Sequence, residues 1–200
     1  MTGILPIDYF DKISDLYYAF KHFTMISPKW MAKYIGFTDE EVKMLCKKYI
    51  NFKKLNNSNK NQVVNNKNNN KKVKVNYKNI RKWYNGYQLI GSKNGRKYEI
   101  YTPFSIIKSL NNNHIEIYWN KSETFPLLSE YINMDFFGLK EDILCLIDDR
   151  KKELKLNYRD DVLIHLVHLG YLAFKSEKRI VYIPNKEVHE IFEIFTRNEE

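Results

Sequence analysis

Cysteine, proline and glycine are scarce in this chain of 200 residues, which contains 2, 5 and 7 of them respectively. The two cysteines, Cys46 and Cys145, lie far apart in the sequence and form no Cys-x-x-Cys pair. Neither a zinc site nor a disulfide framework is therefore expected. We expect reduced, buried thiols in an intracellular protein, either cytoplasmic or nuclear.

Long apolar runs are also missing. No stretch approaches the roughly 18–20 consecutive apolar residues that cross a bilayer, so we expect no membrane association. The N-terminus has no basic segment followed by a long apolar one, and we expect no secretory signal. A hydrophobic fraction of 44% is nevertheless enough for a packed core and argues against disorder of the whole chain.

Acidic residues are absent from residues 51–98, which contain 11 Lys and 2 Arg. The rest of the chain has 20 basic and 24 acidic residues, so the net charge of +9 arises in this one stretch. Residues 51–75 are rich in Asn and Lys and cannot bury enough apolar surface to offset the entropy lost on ordering. We predict a disordered insertion here.

The alternative for this Asn/Lys-rich tract is a nucleic-acid-binding tail, because lysine neutralises phosphate charge. Residues 51–75 contain no arginine and almost no aromatic residue. Specific base readout or base stacking would need such side chains. The composition therefore favours an inert insertion over a nucleic-acid site.

The segment Trp83-Tyr84-Asn85-Gly86-Tyr87 is the centre of the predicted organisation. Its Asn-Gly step tolerates positive φ and predicts a sharp turn or a helix stop. The preceding residues 77–84 have helical spacing, and residues 87–101 predict a β-hairpin around a glycine-containing turn. Thr102 is expected to N-cap a helix that has Pro103 at its first position. The same aromatic residues are also typical of an ordinary small core.

Further elements are predicted from their end signals. Thr38 and Glu41 form a capping box before an amphipathic helix, and Ser122 is expected to cap another helix. The remaining predictions are a buried strand at 1–7, helices at 8–23, 29–34, 103–110 and 140–149, an extended segment at 115–119 and a charged connection at 151–155.

The last 43 residues predict a helix, a hairpin and a second helix. The first helix, 160–169, is apolar nearly all round, and Gly170 is expected to end it. Two strands at 171–174 and 180–183 follow, and Asn185 is expected to cap the final amphipathic helix. This order after a helical region is typical of a winged helix, a fold that binds proteins as readily as DNA.

Taken in series, eight segments resemble the predicted AAA-ATPase-like family, whose members often carry a PD-(D/E)XK-type nuclease domain. The segments are Thr2–Ile7, Ile35–Thr38 with Glu40–Val42, Trp83–Tyr87, Tyr101–Ser105, Tyr118–Trp119, Asp160–Leu163, His168–Leu172 and Ile183–Val188. They cover nearly the whole chain except the Asn/Lys-rich tract. The family usually has Asn at the position of Thr102 and Thr at that of Ser122, and both residues present can still cap a helix.

The resemblance implies the closing part of an ATPase module, with a fold that is mainly α with small β-hairpins (α+β). Residues 1–50 would be a remnant of the ATPase core with the first lid helices. Residues 51–76 would be the disordered insertion, 77–156 a helical lid with a hairpin, and 157–200 a winged-helix-like subdomain.

A phosphate-binding loop is missing from these 200 residues. Such a loop needs Gly-x-x-x-x-Gly-Lys-Ser/Thr, whose backbone N–H groups hold the phosphates, and no such run occurs. The acidic strand end that would hold magnesium in the family is absent too. ATP and Mg²⁺ are therefore implied only for full-length relatives, and we expect a chain that is non-catalytic alone. The alternatives are a nucleic-acid-binding module, or a subunit that a complementary ATPase segment on another chain completes.

The resemblance also implies two nucleotide contacts. Thr2 would lie near the γ-phosphate and Pro103 would pack on the adenine ring; the ordinary alternatives are a strand-end threonine and a first-turn proline. Asp161, His165 and His168 share a helical face and have the chemistry of metal ligands. Because that helix is predicted to be buried, we expect core histidines and no metal site.

Overall fold

A computed structural model of the chain describes residues 23–58, 73–91, 95–135, 138–148, 153–156 and 161–197. The predicted fold class is confirmed, because helices dominate and the sheets are small and antiparallel. The helices are α1 (Asp39–Ser58), α2 (Tyr77–Tyr84), α3 (Pro103–Asn112), α4 (Phe125–Asn133), α5 (Leu139–Ile147), α6 (Asp161–Leu169) and α7 (Lys186–Arg197), with 3-10 helices at Lys29–Tyr34 and Trp119–Lys121. None of the described helices combines the length and the apolar character that a membrane span requires.

The strands pair into three small sheets. They are β1 (Phe37–Thr38), β2 (Val73–Lys74), β3 (Tyr87–Ile90), β4 (Lys97–Tyr101), β5 (His114–Ile115), β6 (Leu154–Lys155), β7 (Ala173–Lys175) and β8 (Ile180–Tyr182). The sheet orders are β1-β4-β3, β2-β5 and β6-β8-β7. The predicted hairpin is β3-β4, in which Leu89 lies opposite Tyr98. The predicted strand at 1–7 and most of the helix at 8–23 lie outside the described residues.

Helix α1 begins at the predicted capping box. The Thr38 N–H donates to Glu41 Oε2 at 2.8 Å, and the Glu41 N–H donates to Thr38 Oγ1 at 3.4 Å. Val42 and Cys46 are buried on the predicted apolar face. The box supplies partners for two N–H groups that the first turn of a helix leaves unpaired.

The Asn/Lys-rich tract differs from its prediction at both ends. Helix α1 continues to Ser58, and Val73–Lys74 pairs with His114–Ile115. Once a helix is nucleated, each added residue gains a backbone hydrogen bond, so a polar sequence can prolong it. The prediction of a disordered insertion is therefore corrected at residues 51–58 and 73–74, and residues 59–72 lie outside the described part.

Two larger cores and a smaller third cluster form the interior. One packs α1, α2 and α3 around Tyr84, Tyr101 and Ile106, and the other packs α4 to α7 around Tyr171 and Phe192. The third cluster joins the first 3-10 helix to the β3-β4 hairpin and β7; its members are Ala32, Tyr87, Leu89, Ile100 and Ala173. The two large cores meet where residues 83–87 pack against residues 182–188.

Two helix starts differ from prediction. Thr102 holds the N-cap position of α3 and Pro103 follows it as predicted, but the Thr102 hydroxyl makes no capping bond and is buried without a hydrogen-bond partner. Ser122 is not the cap of α4, which begins at Phe125 with a proline in its first turn. Proline is preorganised for that turn and sets the start later. The Ser122 hydroxyl instead lies 3.3 Å from that of Tyr171.

The C-terminal order is as predicted, with one added strand. Gly170 ends α6 at a φ of 85°, where glycine pays no steric penalty. The Val188 N–H donates to Asn185 Oδ1 at 3.0 Å, so Asn185 caps α7. Part of the predicted charged connection 151–155 is strand β6, because Leu154 pairs with Val181 and packs against the second large core.

The two cysteines should react at different rates. Burial raises the pKa of the Cys46 thiol to about 11, whereas Cys145 is only partly buried. Since the thiolate is the nucleophile, iodoacetamide should label Cys145 at least about tenfold faster than Cys46 in the native protein. Peptide mass spectrometry measures both rates, and the difference should disappear in denaturant. Equal native rates would contradict the burial of Cys46.

Candidate functional site

The segment Trp83–Tyr87 packs against Tyr182–Val188. We call this contact, together with the hydrogen bonds of Tyr87 and Glu187, the junction. Helix α2 ends at Tyr84, and Asn85 and Gly86 lead into β3, so the Asn-Gly step is the helix stop that the sequence predicts. The backbone of Gly86 lies directly against Pro184. A Cβ atom added at Gly86 would lie 1.4 Å from the Pro184 carbonyl oxygen, so only glycine fits.

Hydrogen bonds to backbone carbonyls hold the junction together. The Tyr182 hydroxyl donates to the Gly86 carbonyl at 3.0 Å, and Asn185 Nδ2 donates to the Tyr84 carbonyl at 3.3 Å. The Tyr87 hydroxyl donates to the Gly170 carbonyl at 2.5 Å. Burial raises the pKa of Tyr87 and of Tyr182, so both hydroxyls keep the proton that they donate.

Glu187 lies at the centre of the junction with only 1% of its surface exposed. Its Oε1 accepts hydrogen bonds from the backbone N–H groups of Tyr118 and Trp119 at 2.7 and 2.9 Å. Its Oε2 accepts one from Ser105 Oγ at 2.7 Å. One side chain on α7 thus binds both α3 and the start of the second 3-10 helix.

Burial raises the pKa of Glu187 above its ordinary value, although hydrogen bonds from Ser105, Tyr118 and Trp119 oppose the shift. A perturbed buried carboxylate is a common mark of a catalytic site. Here, however, both oxygens are occupied by donors from the protein itself. The arrangement is suited to joining two parts of the chain and leaves little capacity for binding a substrate proton or a metal.

A second polar cluster surrounds Asp39 at the start of α1. Its carboxylate accepts hydrogen bonds from the hydroxyls of Tyr77 at 2.7 Å and Tyr101 at 2.6 Å. Burial would raise the pKa of Asp39, but these two hydroxyls, together with the charges of Arg81 and Lys43, outweigh it and hold the pKa below its usual value. An ionised Asp39 also favours the positive end of α1. This cluster therefore anchors α1 to α2 and β4.

The structure describes some of the residues that the sequence suggested as sites. Pro103 is exposed at the first turn of α3, two residues before Ser105, and Thr2 lies outside the described residues. His165 is partly buried and stacks on Tyr131 with ring centroids 6.1 Å apart; burial lowers its pKa although Asp161 opposes the shift. Within the described ranges, no three His, Cys, Asp or Glu side chains are grouped closely enough to hold a metal ion.

Sequence reasoning missed Glu187. A glutamate at the start of a helix is normally assigned to solvent, where it favours the positive helix end. The available signal was its spacing, because Glu187 lies four residues before Ile191 and therefore shares the apolar face of α7. Buried charges of this kind need partners, and the partners here come from distant segments that no local pattern reveals.

Five of the eight family-like segments meet at the junction. They are Trp83–Tyr87, Tyr101–Ser105, Tyr118–Trp119, His168–Leu172 and Ile183–Val188. Comparison of the chain with known protein families, curated proteins and solved structures finds no match. The contacts nevertheless give these scattered segments one shared structural role.

Proposed function

We propose that the chain is the lid and winged-helix-like part of an AAA-ATPase-like protein and that it does not hydrolyse ATP unaided. The observation that carries the proposal is the meeting of five family-like segments at the junction, three of them at the buried carboxylate of Glu187. Their convergence is expected if they form the common interior of a single module.

The C-terminal topology supports the winged-helix part of this proposal. Helix α6 leads directly into the β7-β8 hairpin, and the short strand β6 adds to β8 on its other side. A helix followed by a small antiparallel wing is the arrangement that the name describes. Because fold alone does not determine function, the topology supports a module type and leaves its partner open.

The proposed role is mechanical coupling of the lid to the C-terminal part. Ser105 lies on α3 in the first core, Glu187 lies on α7 in the second, and the bond between them is fully buried. Gly86 and Pro184 fix the same two parts by close backbone packing. A movement of the lid would then be transmitted to the C-terminal part through rigid contacts instead of a flexible linker.

The absence of catalysis can be tested directly. We expect the purified chain to show no saturable binding of a fluorescent ATP analogue with Mg²⁺ below about 0.1 mM, and no phosphate release, because its sequence has no phosphate-binding loop. Circular dichroism of the same sample would show that the protein is folded. Micromolar affinity or turnover would refute the proposal, and the Pro103→Ala variant would then show whether this exposed proline contacts the base.

A further inference from the structure

A surface of exposed aromatic rings lies on the first 3-10 helix, far in sequence from the junction segments. Trp30 is 56% exposed and Tyr34 is 60% exposed, values that are unusual for such large rings. The two ring centroids are 6.3 Å apart in an edge-to-face arrangement. Ala32 of this helix is completely buried against the β3-β4 hairpin. This packing fixes the backbone that carries the two rings.

Cations are interleaved with these rings. Lys33 Nζ lies 4.6 Å from the centroid of Tyr34, and the Arg96 guanidinium lies 5.2 Å from that of Tyr98. A hydrogen bond with Tyr34 raises the pKa of Lys33, while repulsion from Arg96 opposes the shift. A Cβ atom added at Gly91 would lie 3.1 Å from the Tyr98 ring and 3.7 Å from the Lys29 carbonyl oxygen, so Tyr98 lies beside the start of the 3-10 helix. We call Trp30, Lys33, Tyr34, Arg96 and Tyr98 the aromatic-basic surface.

No acid lies on the two segments that build the aromatic-basic surface. Residues 23–38 and 86–98 contain neither Asp nor Glu. The neighbouring Glu99 alternates with Tyr98 along β4, so it lies on the opposite face of the sheet, where it pairs with Arg81. Glu177, between β7 and β8, pairs with Lys97, with its Oε1 3.6 Å from Lys97 Nζ. The positive charge of the aromatic-basic surface therefore comes from Lys33 and Arg96.

We propose that the aromatic-basic surface binds single-stranded nucleic acid, with bases stacking on Trp30 and Tyr34 and phosphates contacting Lys33 and Arg96. Every base has a flat face, and stacking on an aromatic ring contributes to binding without sequence preference. Lysine and arginine neutralise the backbone and release counterions. This site is distinct from the Asn/Lys-rich tract, and the inference does not depend on the ATPase-like assignment.

The test is fluorescence anisotropy of labelled oligo(dT) and oligo(rU) of about 15 nucleotides with the full chain at about 0.1 M salt. We expect both to bind and a duplex of equal length to bind at least about tenfold more weakly, because its bases are stacked internally. Trp30→Ala and Tyr34→Ala should each weaken single-strand binding about tenfold. Trp30→Phe keeps a stacking face and should retain most of the affinity.

Matched variants elsewhere on the chain provide the controls. Phe52→Ala removes a ring that is 64% exposed on α1 and should leave affinity unchanged. Lys33→Ala should lower affinity and reduce the salt dependence by about one counterion. Lys108→Ala removes a lysine that lies over Phe104 in a similar pair, with Nζ 5.6 Å from the ring centroid. This variant should change neither the affinity nor the salt dependence.

Several outcomes would overturn the inference. Unchanged binding by the folded Trp30→Ala/Tyr34→Ala double variant would do so, as would equal affinity for the duplex. Binding that is lost on deletion of residues 59–72 but insensitive to the aromatic variants would assign the activity to the tract. Tighter binding of polyglutamate, with the same dependence on Trp30 and Tyr34, would indicate an acidic protein partner instead. None of these results bears on ATP binding, so this inference and the proposed function can fail separately.

Discussion

Replacing Gly86 with alanine should remove much of the stability of the folded chain. The added Cβ would lie 1.4 Å from the Pro184 carbonyl oxygen, and the neighbouring contacts are backbone atoms that cannot rotate away. Relieving the overlap requires the two segments to separate, which breaks the hydrogen bonds from Tyr182 to Gly86 and from Asn185 to Tyr84. We expect a loss of more than about 4 kcal/mol, which approaches the whole stability of many domains.

Gly95→Ala is the matched control for that variant. Gly95 also has a positive φ, 59°, but an added Cβ would meet no atom within 4 Å. The Gly95→Ala variant should therefore lower the free energy of unfolding only by the strain of a non-glycine residue at positive φ, about 1–2 kcal/mol. Urea unfolding followed by circular dichroism measures both variants. Equal stability of the two would mean that the close contact between Gly86 and Pro184 does not exist.

Local signals in the sequence predicted much of the secondary structure because their physics is local. The capping box of Thr38 and Glu41 satisfies N–H groups within one turn, and Asn185 does the same for α7. The Asn-Gly step at Gly86 and the lone Gly170 mark backbone conformations that other residues resist. Each of these features depends on residues that are at most a few positions apart.

The junction could not be predicted because its partners are distant in sequence. Ser105 and Glu187 are 82 positions apart, and Tyr84 and Asn185 are 101 apart. No spacing rule connects such positions. The predicted resemblance gave no contacts between segments, and its two suggested nucleotide contacts, Thr2 and Pro103, are not among the residues that form the junction.

The missing capping bond of Thr102 and the later start of α4 show the same limit. Thr102 and Ser122 have hydroxyls that can serve a helix start, and the sequence alone assigns them to that role. In the structure, Ser122 bonds toward Tyr171, and a proline determines where α4 begins. Tertiary partners therefore overrode a local preference that is worth only about 1 kcal/mol.

Replacing Glu187 with alanine should have the second largest effect on stability. The variant leaves three donors without their acceptor, namely the N–H groups of Tyr118 and Trp119 and the hydroxyl of Ser105. Each unsatisfied buried donor costs about 1–3 kcal/mol, and the lost side chain adds a cavity. We expect a total loss of at least about 3 kcal/mol, measured by urea unfolding. Glu190→Ala on the same helix removes only a partly exposed ion pair with Lys186 and should cost less than about 1 kcal/mol.

Glu187→Gln keeps the shape of the side chain at this position and removes its ionisable carboxyl group. Its carbonyl oxygen can accept from Tyr118 and Trp119, and its amide can donate to Ser105 Oγ, because a hydroxyl also accepts. The amide thus keeps a hydrogen bond with each group that Glu187 contacts, although the Ser105 hydroxyl changes from donor to acceptor, and it carries no charge that burial would penalise. We expect Glu187→Gln to be much more stable than Glu187→Ala. Equal losses for the two variants would contradict the assigned hydrogen bonds.

The pH dependence of wild type against Glu187→Gln tests the direction of the pKa shift. Burial raises the pKa of Glu187 in the folded protein above its ordinary value of 4.5, so the unfolded chain loses this proton at a lower pH than the native protein does. The stabilisation from the protonated carboxyl is therefore complete below pH 4.5 and is lost as the pH rises through the folded pKa. The free energy of unfolding of wild type, relative to Glu187→Gln, should fall across that window. A rise would mean that the three donors outweigh the cost of burial and that the native site favours the ionised carboxylate.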